Sequence, residues 1–193
     1  MSIEQLKKEG KKYDSSWSDT TVEVVPTKRE GHGMDREIRE AGLNEARRQF
    51  FSACAKYGPE ARNLARINIQ ESLLLFGSKG QYWIKGDEEV PDEEWNEELN
   101  ETVELPSSFC AIGAIHKANG QAEHLARLAA NLAAGELFPG RSGLESLNSH
   151  WDYEKDTTSY TVELPDVVAV NDDKKTRFAD IKLVFKRAAE LLK

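Results

Sequence analysis

Apolar side chains recur at helical spacing over three long stretches of the chain. In the most regular one, Thr176 is suited to cap a terminal helix, whose stripe is Phe178, Ile181, Val184, Phe185, Ala188, Leu191 and Leu192. Residues 35–76 form a second stretch, which Gly58 and Pro59 divide, so we predict one helix ending at the glycine and another beginning at the proline. Residues 121–134 are the third and also predict a helix with one apolar face.

Shorter segments have the composition of β-strands. Thr21–Val25 alternates between polar and apolar positions and ends at Pro26, which is typical of an edge strand. Residues 81–84, 160–164 and 166–170 complete the set, and the last is apolar enough for an inner strand. We therefore predict an α+β fold that is mainly helical, with five or six helices packed on a small two- to three-stranded sheet.

The length of 193 residues suits one domain or one domain with an appendage. We interpret residues 1–34 as an N-terminal arm with a short strand, and residues 35–193 as a single globular domain with an acidic insertion at residues 87–104. No apolar run approaches the roughly 20 residues that cross a bilayer, and the first residues lack the apolar core of a secretory signal. The two cysteines, Cys54 and Cys110, fit a reducing compartment. We expect a cytoplasmic protein without membrane contacts.

The net charge of −8 comes from one segment of the chain. Residues 87–104 contain ten acidic side chains and no basic one, so the rest of the chain is nearly neutral. A distribution of this kind argues against nucleic acid as a partner. Within the segment, Trp95, Leu99 and Val103 are spaced four residues apart. This spacing predicts an acidic helix with an aromatic and two aliphatic residues on one side.

The acidic segment is the candidate surface for a protein partner. An acidic surface complements a basic one and accelerates its encounter. The candidate contact residues are Glu93, Glu94, Trp95, Glu98 and Leu99. The alternative is that residues 87–104 form a solvated insertion with a few packing contacts, which is the usual state of a charge run.

The stretch Ser108–Ala118 predicts a helix that begins at a serine cap. If Ser108 is the N-cap, Cys110 is the second helical residue, where the helix dipole and backbone N–H groups would lower the pKa of its thiol. Two interpretations remain open. Cys110 is either a small buried residue in a packing seam with Gly113 and Ala114, or a nucleophile.

Two later residues are candidate partners for a nucleophilic Cys110. His150 and Asn171 follow it, each near an end of a predicted strand. The chain order cysteine, histidine, asparagine resembles that of papain-like cysteine hydrolases. The resemblance covers order and context only, since the residues around the papain cysteine are absent here. Asn171 is equally suited to forming a turn.

Residues 60–193 also resemble a family of small uncharacterised domains found in bacteriophages and some bacteria. The features that carry this resemblance are the segment Cys110-Ala-Ile-Gly-Ala-Ile115, the pair Asn171-Asp172, Thr176, a regularly apolar terminal helix, and upstream Leu73 to Leu75, Gly80 and Trp83. The resemblance implies a phage or mobile-element context and no particular activity. Its pattern does not require a histidine at the position of His150.

Cofactor chemistry has little support in the sequence. His116 and His124 are separated by Gly120, and there is no Cys-x-x-Cys, His-Glu-x-x-His or phosphate-binding glycine loop, so we expect no metal and no cofactor. We predict a non-enzymatic phage or mobile-element accessory protein that binds a protein, modulating a host or defence factor. One alternative is a small hydrolase using Cys110. Another is a virion or assembly component that is stable as a homo-oligomer, with an apolar face on the helix that carries Phe50 and Phe51.

Overall fold

The computed structural model describes residues 21–26, 32–86, 89–96, 101–118, 122–144, 146–153 and 157–193. In these residues five helices pack on two small antiparallel sheets, which confirms the predicted α+β, mainly helical fold. The helices are α1 (His32–Leu75), α2 (Ala111–Lys117), α3 (Glu123–Leu137), α4 (Val167–Asp172) and α5 (Phe178–Leu191). The strands are β1 (Thr21–Val24), β2 (Glu89–Asn96), β3 (Glu101–Phe109), β4 (Ser146–Asp152) and β5 (Thr157–Glu163).

Helix α1 is interrupted where the sequence predicts a break. Gly58 has φ 82° and ψ −177°, which is not helical, and Pro59 follows it. A positive φ costs glycine little because it has no Cβ, and proline has no N–H to continue the helical hydrogen bonds. The two predicted helices are both present and follow one another directly.

The core lies where α1, α3 and α5 meet. Phe50, Phe76 and Phe185 are its largest fully buried side chains. The Phe76 ring meets the rings of Phe178 and Phe185 edge to face, with centroid distances of 5.8 and 5.6 Å, an arrangement that the charge distribution of aromatic rings favours. Helix α3 contributes mostly alanine, namely Ala126, Ala129, Ala130, Ala133 and Ala134, and such small side chains allow neighbouring backbones to approach closely.

The three-stranded sheet has the order β1–β5–β4 and is antiparallel throughout. Its first strand is the one predicted at Thr21–Val25, and Val22 lies opposite Val162. Residues 1–20 of the predicted arm lie outside the described residues. Strand β4 is not among the predicted strands, and it pairs with β5 from Ser146 to Asp152.

The predicted inner strand at residues 166–170 is wrong, because this segment is helix α4. The Asp166 side chain accepts a hydrogen bond from the Val168 N–H at 3.0 Å and caps the helix. Val167 and Val170 are fully buried at helical spacing. A short apolar run does not distinguish a buried strand from a buried helix, and here the aspartate cap favours the helix.

The predicted strand at residues 81–84 is reduced to one bridge between Trp83 and Phe109. The Phe109 N–H donates to the Tyr82 carbonyl at 2.7 Å, and the Ile84 N–H donates to the Phe109 carbonyl at 3.0 Å. The segment therefore runs beside the end of β3 without forming a full strand.

The described residues of the acidic segment form two paired β-strands, so the predicted acidic helix is wrong. Strands β2 and β3 pair in an antiparallel register that places Glu93 opposite Glu104 and Trp95 opposite Thr102. The register shifts around Pro91, which has no N–H for a helix or a regular ladder. Valine and threonine also favour strands. The recurrence of apolar residues every fourth position was therefore not a helical signal here.

Glu136 connects three helices through charged hydrogen bonds. It lies at the end of α3, and its carboxylate accepts from Arg47 of α1 at 3.1 Å and from Arg187 of α5 at 2.9 Å. Hydrogen bonding to Glu136 raises the pKa of the Arg187 guanidinium. The Glu136 side chain is 16% exposed, so removing it would leave two arginines beside a largely buried position.

We expect Glu136→Ala to lower the free energy of unfolding by about 1–2 kcal/mol, because charged hydrogen bonds to two arginines are lost. Glu190→Ala is the matched control, since Glu190 contacts Arg187 from an exposed position at 3.5 Å, and its cost should stay below about 0.5 kcal/mol. Urea unfolding of both variants measures the difference. Equal midpoints for the two variants would contradict the bridging role of Glu136.

Candidate functional site

Helix α2 begins later than predicted, and its cap is Cys110. Ser108 and Phe109 still belong to strand β3, so Ser108 is not the cap. The Cys110 backbone is extended, and its sulfur accepts a hydrogen bond from the Gly113 N–H at 3.4 Å. Cys110 thus occupies the position for which serine was predicted. Its side chain is 3% exposed and belongs to the core cluster.

Asn171 is the polar centre of the region around α2. It is fully buried, and its Oδ1 accepts hydrogen bonds from Trp83 Nε1 at 2.8 Å and from the Ala111 N–H at 3.1 Å. Its Nδ2 donates to the Ile84 carbonyl at 3.3 Å and to Asp172 Oδ1 at 2.8 Å. A carboxamide has two acceptor positions and two donor hydrogens. All of them are used, so Asn171 fixes the start of α2 against the segment that carries Trp83.

Two more buried polar side chains fix the other end of α2. Asn68 Nδ2 donates to the Ile115 carbonyl at 3.1 Å, and Ser72 Oγ donates to the Ala114 carbonyl at 3.1 Å. Both donors come from the second half of α1. Sequence analysis did not select them, although they lie four residues apart on an otherwise apolar helix face, after Leu64. Polar side chains on an otherwise apolar helix face indicate a buried hydrogen-bond network.

Several of the residues quoted for the predicted resemblance lie in this region. Trp83, Cys110 and Asn171 surround the start of α2, and Asp172 Oδ1 accepts from the Gly86 N–H at 2.9 Å. Gly80 has φ +76°, and a Cβ there would collide with the Phe178 ring. Hydrogen bonding and close packing account for these residue types without a catalytic role.

The three candidate catalytic residues have very different surroundings. Asn171 lies beside Cys110, because it binds the N–H of the next residue, Ala111. His150 is exposed on β4, where it lies opposite Ser159. In a cysteine–histidine–asparagine triad the asparagine orients the histidine by a hydrogen bond. The donor and acceptor positions of Asn171 are already occupied, and Cys110 is buried, so the geometry favours the packing interpretation of Cys110.

The acidic hairpin, which we define as the paired strands β2 and β3, is attached to the core at its base. The Phe109 side chain is buried, and Lys117 of α2 forms an ion pair with Glu89 at 3.0 Å. The hydrogen bond from Lys117 lowers the pKa of the Glu89 carboxyl. The predicted contact residues Glu93, Glu94 and Trp95 lie on β2, whereas Glu98 and Leu99 lie outside the described residues.

The described ranges offer neither a metal site nor a membrane-spanning helix. No group of three or more histidine, cysteine, aspartate or glutamate side chains in them is placed to hold a metal ion. His116 instead contacts Glu123, with 3.0 Å between Nε2 and Oε1. None of the helices described is both long enough and apolar enough to span a bilayer.

We expect Asn171→Ala to cost about 3 kcal/mol or more, because buried N–H groups of Trp83 and Ala111 and the Ile84 carbonyl lose their partner. Asn63→Ala is the matched control on the exposed surface of α1 and should change stability by less than about 0.5 kcal/mol. Chemical denaturation, monitored by circular dichroism, measures the free energy of unfolding of both variants. A stability of the Asn171 variant equal to that of the control would show that the network contributes nothing.

The reactivities of the two thiols distinguish the interpretations of Cys110. Burial raises the pKa of the Cys54 thiol, which is only partly covered, so Cys54 should react slowly with iodoacetamide at pH 7. Cys110 should react more slowly still, because its sulfur is buried. Mass spectrometry of the native protein gives both rates, and denatured protein, where the two rates should converge, is the control. Faster native labelling of Cys110 than of Cys54 would support the hydrolase alternative.

No family model, curated protein or solved structure matches this chain.

Proposed function

We propose that this chain is an accessory protein of a bacteriophage or other mobile element, located in the cytoplasm, that binds a host or viral protein through the acidic hairpin. The observation that carries the proposal is the charge of the hairpin combined with its register. Residues 87–104 contain ten acidic side chains and no basic one, and Glu93 lies directly opposite Glu104. The phage context rests on the resemblance of residues 60–193.

The concentration of like charge is unfavourable for the hairpin alone. Like charges at directly opposed strand positions destabilise the pair, by up to about 1 kcal/mol. A partner with a lysine- or arginine-rich surface would remove this repulsion on binding and would be attracted over several ångströms. The electrostatic repulsion in the free protein is therefore consistent with a surface whose charge serves to bind a partner. The partner that fits it is a protein with a basic patch.

The attachment of the hairpin supports the same role. Phe109 at the end of β3 is buried, and Cys110 follows immediately as the cap of α2. Hydrogen bonds from Asn171, Asn68 and Ser72 hold α2 at both ends. The base of the hairpin is therefore attached to a helix that is fixed in place. Binding surfaces supported by rigid elements lose less entropy on association.

The assembly alternative has one observation in its favour. Phe51 is 57% exposed, while the preceding Phe50 is fully buried. Single exposed apolar side chains are common on protein surfaces, so this observation is weaker than the charge of the hairpin. The oligomeric state measured by light scattering would test it, and Phe51→Glu should dissociate any oligomer that uses this face.

The first test removes most of the hairpin and rejoins its two strands near the base, at a position where they are paired. Val90 lies opposite Ser108, so replacing residues 91–107 with Asn-Gly closes the two strands by a two-residue turn. This replacement removes seven of the ten acidic residues and keeps Glu89 and Phe109. We expect the shortened protein to fold, with an unfolding temperature close to that of the wild type. It should no longer retain the protein that the wild-type chain captures from host cells.

The second test changes the charge and keeps the hairpin. We compare two triple variants of equal net charge, Glu93→Gln/Glu94→Gln/Glu104→Gln in the hairpin and Glu40→Gln/Glu60→Gln/Glu190→Gln on exposed helix positions. Only the hairpin variant should lose the partner, and wild-type binding should weaken as salt is raised. Retention of the same partner by the shortened protein, or equal losses for the two triple variants, would exclude the hairpin as the binding surface.

A further inference from the structure

Strand β4 forms one edge of the three-stranded sheet, and β5 is its only neighbour among the strands that the structure describes. An edge strand presents a row of backbone N–H and C=O groups that can pair with a further strand. The other edge, β1, is short, contacts α1 and is followed by Pro26, and these features protect an edge from pairing. Strand β4 contains neither lysine nor proline, and its one irregularity lies between Ser146 and Asn148, before residues 149–153. The second half of β4 is therefore an edge without these protections.

The side chains at this end of β4 are exposed on both faces of the sheet. Ser149, His150 and Trp151 are exposed, and Tyr153, directly after the strand, is 88% exposed. The rings of Trp151 and Tyr153 meet edge to face, with 6.5 Å between their centroids, so they lie on one face. His150 and Asp152 share the other face, because side chains alternate along a strand. Exposed tryptophan and tyrosine are typical of surfaces that contact another protein.

The sequence of β4 is complementary to itself in one antiparallel register. When Trp151 lies opposite Trp151 of the partner subunit, His150 lies opposite Asp152 of the partner subunit, and this pair occurs twice. An imidazole N–H donates to a carboxylate, and the Asp152 carboxylate, which already has a contact within the chain, accepts from more than one donor. Registers centred on His150 or on Asp152 would instead place two imidazoles or two carboxylates opposite each other. Cross-strand aromatic pairs and complementary polar pairs stabilise antiparallel strands, so the register centred on Trp151 is favoured.

We propose that β4 pairs with β4 of a second copy of this chain and joins the two three-stranded sheets into one continuous sheet. The pairing is twofold symmetric and uses the same edge of both copies, so it forms a closed dimer and no filament. The acidic hairpin is not involved, because β2 and β3 form a separate sheet. The contact of one strand with another is small, so the dimer dissociates on dilution.

The first test measures the mass of the full chain by sedimentation over about a hundred-fold range of concentration. We expect the mass to rise from one copy to two. Trp151→Lys places two ammonium groups opposite each other across the symmetry axis and should raise the dissociation constant of the dimer at least about ten-fold. Phe51→Lys is the matched control, because Phe51 is an aromatic residue 57% exposed on α1, and it should leave the dissociation constant unchanged.

An exchange of two side chains tests the register. His150→Asp places a second carboxylate opposite Asp152 of the partner subunit at both symmetry-related pairs, so it should raise the dissociation constant at least about five-fold. The double variant His150→Asp/Asp152→His again places a carboxylate opposite an imidazole. Its dissociation constant should return to within about two-fold of the wild-type value, since the two changes are coupled only if the residues face each other. These variants also carry the test if Trp151→Lys does not fold, as judged by circular dichroism.

Three results would overturn the proposal. The first is a wild-type chain that stays monomeric at every concentration, which is the result expected if this edge pairs with a strand of a different protein. The second is a dimer that a folded Trp151→Lys variant leaves intact or that Phe51→Lys dissociates. The third is a double variant that dimerises no better than His150→Asp alone, because the register centred on Trp151 requires the recovery.

Discussion

The side-chain amide of Asn171 is the interaction on which the arrangement of this fold depends. It is fully buried, and it joins the indole of Trp83, the backbone of Ala111 and the carbonyl of Ile84. A buried amide that loses even one partner is costly, so all these groups must be in place together. The requirement specifies how α2, α4 and the segment before the hairpin fit to one another.

The binding surface that we propose for a protein partner is attached to this unit. The acidic hairpin enters it through Phe109, immediately before the cap of α2. The proposed surface therefore stands on a short helical region that is held in place by buried hydrogen bonds.

The parts of the fold that sequence predicted well are those with long periodic patterns. Helix α5 and the interruption of α1 at Gly58 follow from apolar spacing and from the properties of glycine and proline. Short segments were ambiguous: residues 166–170 had too few positions to separate a strand from a helix. The paired strands were missed because three apolar residues four positions apart imitated a helix, whereas the pairing partner of each strand lies on the other strand.

The site was only partly accessible to sequence analysis for a different reason. Asn171 and Cys110 were selected, but the partners that determine their roles are distant in the chain, since Trp83 precedes Asn171 by 88 residues. Such pairings depend on the assembled tertiary structure. The polar pair Asn68 and Ser72 within an apolar helix face was the available local indication of a buried network.

Hydrogen exchange at Trp83 and Ala111 tests the central role of Asn171 most directly. The indole N–H of Trp83 and the backbone N–H of Ala111 both donate to Asn171 Oδ1. We expect both to exchange as slowly as the buried amides of α3, through global unfolding only, while the indole of the exposed Trp151 exchanges rapidly. Exchange of the Trp83 indole at the rate of Trp151 in the native protein would contradict the account.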